Sequence, residues 1–420
     1  MQLTLSFRVI GAGLTGSISS IPAGIDCSST NGPCTATASF AVGTVVTLTV
    51  DGIGASALSA WQPAACAGDT CIITMNSAQT VSYMATGNNL VFVTSTGYAA
   101  NLGGLAGAKA LCQSAAASGG LPGSYVPWLA TSAANPAATL GAARGWIRPD
   151  GLPFADTLGA SDGGTTGLLN GQVYYPPEVD ELGSIASSPN VWTGAFTGAA
   201  DSTCGNWTSS DAGAGGVGVN YEGSTGWWQA AQGPCNSILG IYCFGTDLTT
   251  PVTITKQAGR VAFVTKGGFA PTGGLAAADE LCASEAAAAG VPPAIAFLAS
   301  NGASAASRFD LSGANWVRPD GLPLASSVAA LLAGDFLAPP VLHADGTSPA
   351  PSLTWTGAPD PNTAGSMATT CNNWSSNAAG VSIPASGIGD SSDANGFWFS
   401  AFSGTYACDT SGVQVYCFVN

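Results

Sequence analysis

Hydrolysis by an activated nucleophile needs an imidazole held beside a hydroxyl or thiol, and this chain contains one histidine, His343. Pro176-Pro177 in one copy answers Pro339-Pro340 in the other, and counting from this pair makes Asp180 the counterpart of His343. A scaffold that places aspartate at this point in one copy does not depend on an imidazole, so His343 reads as a loop residue. Glycosidic chemistry needs two carboxyl groups flanking one bond, and Glu178, Asp180 and Glu181 lie close enough to offer them. Their counterparts are Val341, His343 and Ala344, so at most one copy could use such a pair. The cluster reads as a solvated acidic turn. No glycine-rich loop runs into Lys-Ser or Lys-Thr, which excludes a P-loop. No enzyme is expected.

Twelve cysteines fall in three groups of four: Cys27, Cys34, Cys66, Cys71; Cys112, Cys204, Cys235, Cys243; and Cys282, Cys371, Cys408, Cys417. An even count in each third suits disulfides formed within domains. Zinc is the rival, but the closest pairs lack C-x2-C spacing and histidine is nearly absent. Disulfides imply an oxidising compartment or a cell surface. The sharpest local signal is Trp146-Ile-Arg-Pro-Asp-Gly-Leu-Pro153, repeated as Trp316-Val-Arg-Pro-Asp-Gly-Leu-Pro323. It reads as a buried tryptophan, an arginine paired to a nearby carboxylate and an Asp-Gly turn, in preference to an Arg-Trp ligand cleft. Asn206-Trp-Thr208 and Asn373-Trp-Ser375 are formal glycosylation sequons. Each sits beside a cysteine and a core tryptophan, which favours a structural origin.

These residues belong to a duplicated domain. Leu168-Leu-Asn-Gly171 recurs as Leu331-Leu-Ala-Gly334, Cys204-Gly-Asn-Trp207 as Cys371-Asn-Asn-Trp374, Gly226-Trp-Trp228 as Gly396-Phe-Trp398, and Ile241-Tyr-Cys-Phe244 as Val415-Tyr-Cys-Phe418. Their spacing drifts, as insertions in surface loops would cause. Each copy opens on a strand, Val91–Thr94 or Ala262–Thr265. A helix follows, with one face formed by Leu105, Ala108, Leu111 and Cys112, or by Leu275, Ala278, Leu281 and Cys282. Short strands among Gly, Ser, Asp and Pro turns fill the rest. The first 86 residues differ: Val45–Val50 and Cys71–Met75 alternate like strands. Thr86-Gly-Asn-Asn89 and Gly245–Pro251 read as linkers, so the expected domains are 1–86, 87–250 and 251–420.

Charge narrows the partners. Of 420 residues only 9 are Lys or Arg against 24 Asp or Glu, a net charge of −15, and charged residues total 8%. So few cations cannot track a phosphate backbone, which argues against nucleic acid and anionic membranes. No run of 18 apolar residues occurs, so no membrane insertion is expected. The beginning, Met1–Arg8, lacks the layout of a signal peptide; a missing upstream segment, renumbering or another export route are the readings left open.

In each copy one cysteine lies on the first helix, one mid-domain, one near the end and one on a final aromatic strand. This order resembles the C-type lectin-like fold, in which first pairs with last and second with third. The resemblance implies Cys112–Cys243 with Cys204–Cys235, and Cys282–Cys417 with Cys371–Cys408. The opening strand, the Gly-Gly-Leu helix, Trp192-Thr-Gly194 and Trp355-Thr-Gly357, and the Tyr-Cys-Phe ending look like a bacterial family of uncharacterised surface domains related to the lectin and endostatin folds. Residues Ser20–Cys27, Cys34, Gly43–Leu48, Trp61, Cys66 and Cys71 resemble the divergent internalin B-repeat-like domain, which implies a spacer with bridges Cys27–Cys34 and Cys66–Cys71. The expected fold class is therefore β-rich α+β: a small all-β, β-grasp-like module and two tandem lectin-like domains, stapled by disulfides.

Calcium-dependent sugar binding is what lectin relatives imply, but the Glu-Pro-Asn or Gln-Pro-Asp tripeptide is absent. Asp390, Asp393 and Asn395 are the candidate calcium oxygens in the long loop; no other cofactor is expected. Tyr174, Tyr175, Tyr221, Trp227 and Phe397 are candidate exposed aromatics for a glycan or protein ligand. The expectation is an extracellular or cell-surface attachment protein, with a subunit of an extracellular filament binding copies of itself, or a virion attachment protein, as alternatives.

Overall fold

A computed structural model describes residues 1–11, 13–63, 65–158, 173–195, 202–211, 213–223, 226–347, 353–391, 396–400 and 404–420. The fold is β-rich α+β, with 34% strand and 15% helix. It divides into two compact units. The first comprises Met1–Thr166, Pro177–Asn220 and Trp228–Thr253; the second comprises Gly167–Pro176, Tyr221–Trp227 and Ile254–Asn420. The Leu168–Gly171 block lies outside the described residues.

The first unit begins with eight strands, β1 (Gln2–Ile10), β2 (Thr15–Ile21), β3 (Asp26–Thr30), β4 (Gly32–Ser39), β5 (Val45–Asp51), β6 (Leu58–Gln62), β7 (Thr70–Thr74) and β8 (Gln79–Thr86). They form two four-stranded sheets, β4-β1-β8-β6 and β3-β2-β5-β7. Side chains alternate across each strand, so Leu3, Leu5, Phe7 and Val9 of β1 meet Val46, Leu48 and Val50 of β5 in one core with Val81 and Tyr83. Trp61 stands edge-on to Tyr83 at 4.7 Å. No helix occurs among the described residues of this module, so it is all-β rather than a sheet gripping a helix.

The stretch expected to link this module to the first repeat is buried. Asn88 and Asn89 are interior residues. Their amides replace the water that a linker would use: Asn89 Nδ2 donates to the carbonyls of Arg144 (2.8 Å) and Leu248 (2.6 Å), and its Oδ1 accepts from Leu248 N at 3.0 Å. The strand β8 thus passes almost directly into the opening strand of the repeat.

Both repeats share one frame. In the first, the closing strand Gly240–Gly245 pairs antiparallel with the opening strand Asn89–Val93 and parallel with Asn190–Trp192. In the second, Gln414–Val419 pairs in the same way with Arg260–Val264 and Leu353–Trp355. A helix, Gly104–Ser118 or Gly274–Ala288, buries a stripe of small residues: Ala108, Cys112, Ala115 and Ala116, or Ala278, Cys282 and Ala286. Leu105, Leu111, Leu275 and Leu281 are only half-buried. Small residues let the helix sit close enough for a disulfide to reach the closing strand, where Cα–Cα separations run 4.4–6.8 Å. Those of Cys112–Cys243 and Cys282–Cys417 are 5.5 and 5.4 Å. Cys204–Cys235 and Cys371–Cys408 frame a loop region in each repeat, and Cys27–Cys34 and Cys66–Cys71 complete the pairs in the module.

Under each loop region two tryptophans meet edge-on at 6.0 Å, Trp192 with Trp207 and Trp355 with Trp374. The second of each pair arrives on a left-handed turn: Cys204, Gly205, Asn206 and Trp207 have φ of 48, 66, 55 and 67°, and Cys371, Asn372, Asn373 and Trp374 have 46, 57, 57 and 62°. Such residues cost about 1–2 kcal/mol each, least for Gly and Asn. The return is a fully buried indole whose Nε1 donates to Ala130 O (2.7 Å) or Ala299 O (2.8 Å). Asn206 Oδ1 accepts from Ser132 N (2.8 Å), and Asn373 Oδ1 from Asn301 N (2.9 Å). The asparagines of both sequons therefore hold structural hydrogen bonds.

The glycine of each Trp-Thr-Gly block completes the site. Gly357 has φ +83°, and a Cβ there would stand 2.8 Å from Trp374 Cζ2 and 2.9 Å from Ala299 O. Gly380, with φ +85°, has open space around it. Gly380→Ala should cost about 1–2 kcal/mol from backbone strain alone. Gly357→Ala should cost about 1–3 kcal/mol more, because overpacking is added. Urea denaturation of the two variants measures the difference; equal losses would show that the tryptophan is not tightly held.

Candidate functional site

Several of the residues singled out for chemistry hold structural bonds. In the first repeat Arg148 donates Nε to Asp150 Oδ1 (3.1 Å), Nη2 to Asp150 Oδ2, and Nη1 to Glu178 Oε1 (2.9 Å). Burial works against the Arg148 charge, but Asp150 and Glu178 outweigh it and raise the guanidinium value. Burial pushes the Glu178 carboxyl up, and Arg148 offsets part of that. Glu181 accepts from Ser95 N (2.8 Å) and from the Ser95 hydroxyl. Asp180 Oδ1 caps its own turn, accepting from Leu182 N and Ser184 N, both at 2.9 Å. The three carboxylates thus face three different partners.

The second repeat keeps the positions and changes the partners. Val93 N donates to Val179 O and Asp180 N to Ser184 O; Val264 N donates to Leu342 O and His343 N to Thr347 O. His343 therefore occupies the position of Asp180. Its ring is buried, with Nδ1 3.0 Å from Val264 O. The capping carboxylate has moved to Asp345, which accepts from Thr347 N (3.1 Å) and Thr347 Oγ1 (2.6 Å). Glu285, on the helix, replaces Glu181 by accepting from Lys266 N (2.7 Å) and Gly267 N (3.0 Å). Arg318 holds Asp320 as Arg148 holds Asp150. Val341 offers no carboxylate, and Arg318 Nη1 reaches the carbonyls of Val173 and Tyr174 at 3.4 Å. The tryptophans of both blocks are buried, donating to Gly245 O (2.9 Å) and Val419 O (2.8 Å).

The aromatics expected to be exposed divide. Tyr174 (8% exposed), Tyr175 (4%) and Trp227 (0%) are buried. This corrects the expectation of exposure: polar flanking sequence says nothing of what a loop packs against. Tyr221 and Phe397 are half-buried. Tyr174 also lines a cleft of about 440 Å³ with Lys256, Asp320 and Asp345.

Of the calcium candidates, Asp393 and Asn395 lie outside the described residues. Asp390 ends a strand, Ile388–Asp390, and acts electrostatically on Glu222. A Cβ on Gly226 would overlap the Glu222 carboxylate, so the glycine makes room for that group. Burial first, and Asp390 second, push the Glu222 carboxyl up to about 8. Among the described residues no group of three His, Cys, Asp or Glu side chains is placed to hold a metal. The Glu222–Asp390 pair was illegible in sequence because the two residues sit in different repeats.

No family model and no curated protein matches this chain.

Glu222 carries a pH prediction. Its folded value lies above the ordinary 4.5, so the folded state keeps a proton that the unfolded chain has released. The stabilisation is complete below about pH 4.5 and is lost as pH rises through about 8. Amide exchange in the strand Ile388–Asp390 should quicken, beyond the intrinsic pH effect, between pH 5 and 8.5. Glu222→Gln should flatten that dependence; an unchanged slope would place the titration elsewhere.

Proposed function

We propose that this is an exported, non-enzymatic surface protein, in which a β spacer carries two C-type-lectin-like domains that attach to a glycan or protein through their loops. The observation that carries the reading is one frame with two fillings. The tryptophan pairs, the helix-to-strand disulfides and the parallel Trp strand recur in both copies. The regions framed by Cys204–Cys235 and Cys371–Cys408 differ in length, 31 against 37 residues. The first holds a hairpin, Ala214–Val219 with Ala231–Pro234. The second holds Ile388–Asp390 on the main sheet and a separate ribbon, Ser382–Pro384 with Thr405–Ala407. Rigid scaffolds with variable loops are how binding surfaces are commonly built.

Six disulfides suit an oxidising, extracellular setting, and no helix among the described residues is long and apolar enough to cross a membrane. His343 bonded to a backbone carbonyl, and carboxylates with separate partners, support a non-enzymatic role. The filament alternative has its own support. Ile21 (73% exposed), Ile72 (69%) and Val45 share the outer face of the sheet β3-β2-β5-β7, where Ile21 and Ile72 flank Thr47 in one row. Such a face suits contact with a copy of the chain.

Exchanging the loops between the two disulfide frames should change which immobilised glycans or surface proteins the full chain retains. Retention should withstand chelator and 0.5 M salt, since uncharged contacts are little screened. Retention unaltered by the exchange would remove the loops as the site. A hydrolase activity abolished by His343→Ala would overturn the non-enzymatic reading.

A further inference from the structure

Strand β6 is an edge strand. Among the described residues it pairs with β8 alone, in the register Leu58 opposite Thr86 to Gln62 opposite Ser82. Edge strands leave a row of N–H and C=O groups open for pairing, and proteins commonly blunt them with charges, proline or a covering element. Leu58-Ser-Ala-Trp-Gln62 carries no charge and no proline within the strand. Its neighbourhood is a cleft of about 640 Å³ within the first unit. Five consecutive residues, Ser59 to Pro63, line it. Side chains on a strand alternate between faces, so consecutive lining means that the backbone edge itself borders the cleft.

The opposite wall is formed by the end of the helix Gly104–Ser118 and the turn after it, through Gln113, Ala117 and Gly120–Gly123. Gln62 Nε2 closes one end by donating to Ser118 O at 3.0 Å and to Ala117 O. Thr80 and Ser82 of β8 add hydroxyls, and no lining residue is ionisable. A charged side chain entering here would lose hydration without gaining a partner.

We propose that the open edge of β6 accepts an extended, uncharged peptide segment of a partner protein as a fifth strand of the sheet β4-β1-β8-β6. Main-chain hydrogen bonds supply the affinity of such strand addition, and the neutral, narrow cleft supplies the selection for small uncharged side chains. This surface is distinct from the loops and does not rest on the reading of them.

The test uses the full chain and a panel of fluorescein-labelled heptapeptides built from Ser, Thr, Ala and Val, followed by anisotropy. At least one should bind, and N-methylation of its alternate amides, which keeps the side chains and removes the donors, should weaken it at least tenfold. Ala117→Arg, at an exposed helix position whose own backbone bonds are kept, should also weaken it at least tenfold while leaving thermal unfolding unchanged. Bound peptide should slow amide exchange at Ser59–Gln62. Binding that ignores N-methylation, survives Ala117→Arg or is absent across the panel would overturn the proposal. So would displacement of the peptide by a neutral hexasaccharide at equal concentration, which would make the cleft a sugar site.

Discussion

In each repeat one buried strand takes hydrogen bonds along both edges and a disulfide from the helix above it. The residues Gly240–Gly245 and Gln414–Val419 are buried throughout. Everything that recurs hangs on this strand: the opening strand on one edge, the Trp-Thr-Gly strand on the other, and the helix tied through Cys243 or Cys417. A crosslink closing 131 or 135 residues removes much of the freedom of the unfolded chain. That constraint lets short strands of three residues persist where they would not pair alone.

With the frame held, local interactions can be rearranged without altering the path of the chain. The turn at Asp180 is capped from within, and the equivalent turn at His343 is capped by Asp345. The loop after the opening strand is tied by Glu181 in one copy and by Glu285 in the other. What each position requires is an acceptor at the right place, and different segments can bring it. Removing one partner of a buried pair is costly, so the loss of the Glu178 position in the second repeat is met by backbone carbonyls around Arg318.

The scarcity of charge acquires a physical meaning here. Five of the nine basic residues, Arg144, Arg148, Lys266, Arg308 and Arg318, are in ion pairs with nearby carboxylates. Among the described residues little positive charge is left unpaired, so the surface offers mainly hydrogen bonds and shape. Both the disulfide-framed loops and the β6 edge offer that kind of surface.

Periodicity and spacing sufficed for the repeat, its opening strands and helices, the Asp-Gly turns and the paired arginines, because those depend on neighbours a few residues away. The lectin-like resemblance implied four cysteine pairs and the internalin-repeat resemblance two, and those six pairs form. The left-handed turns had a faint signal, Gly and Asn beside cysteine, that equally spelled a sequon. Burial of Tyr174, Tyr175 and Trp227, the Glu222–Asp390 pair, and the closed character of residues 86–89 had no local signal. Each is set by what arrives from a distant segment. Sequence by itself determined which residues could turn, pair and crosslink; the tertiary structure alone decided which were desolvated, because burial depends on every segment that packs nearby and not on the residue that is buried.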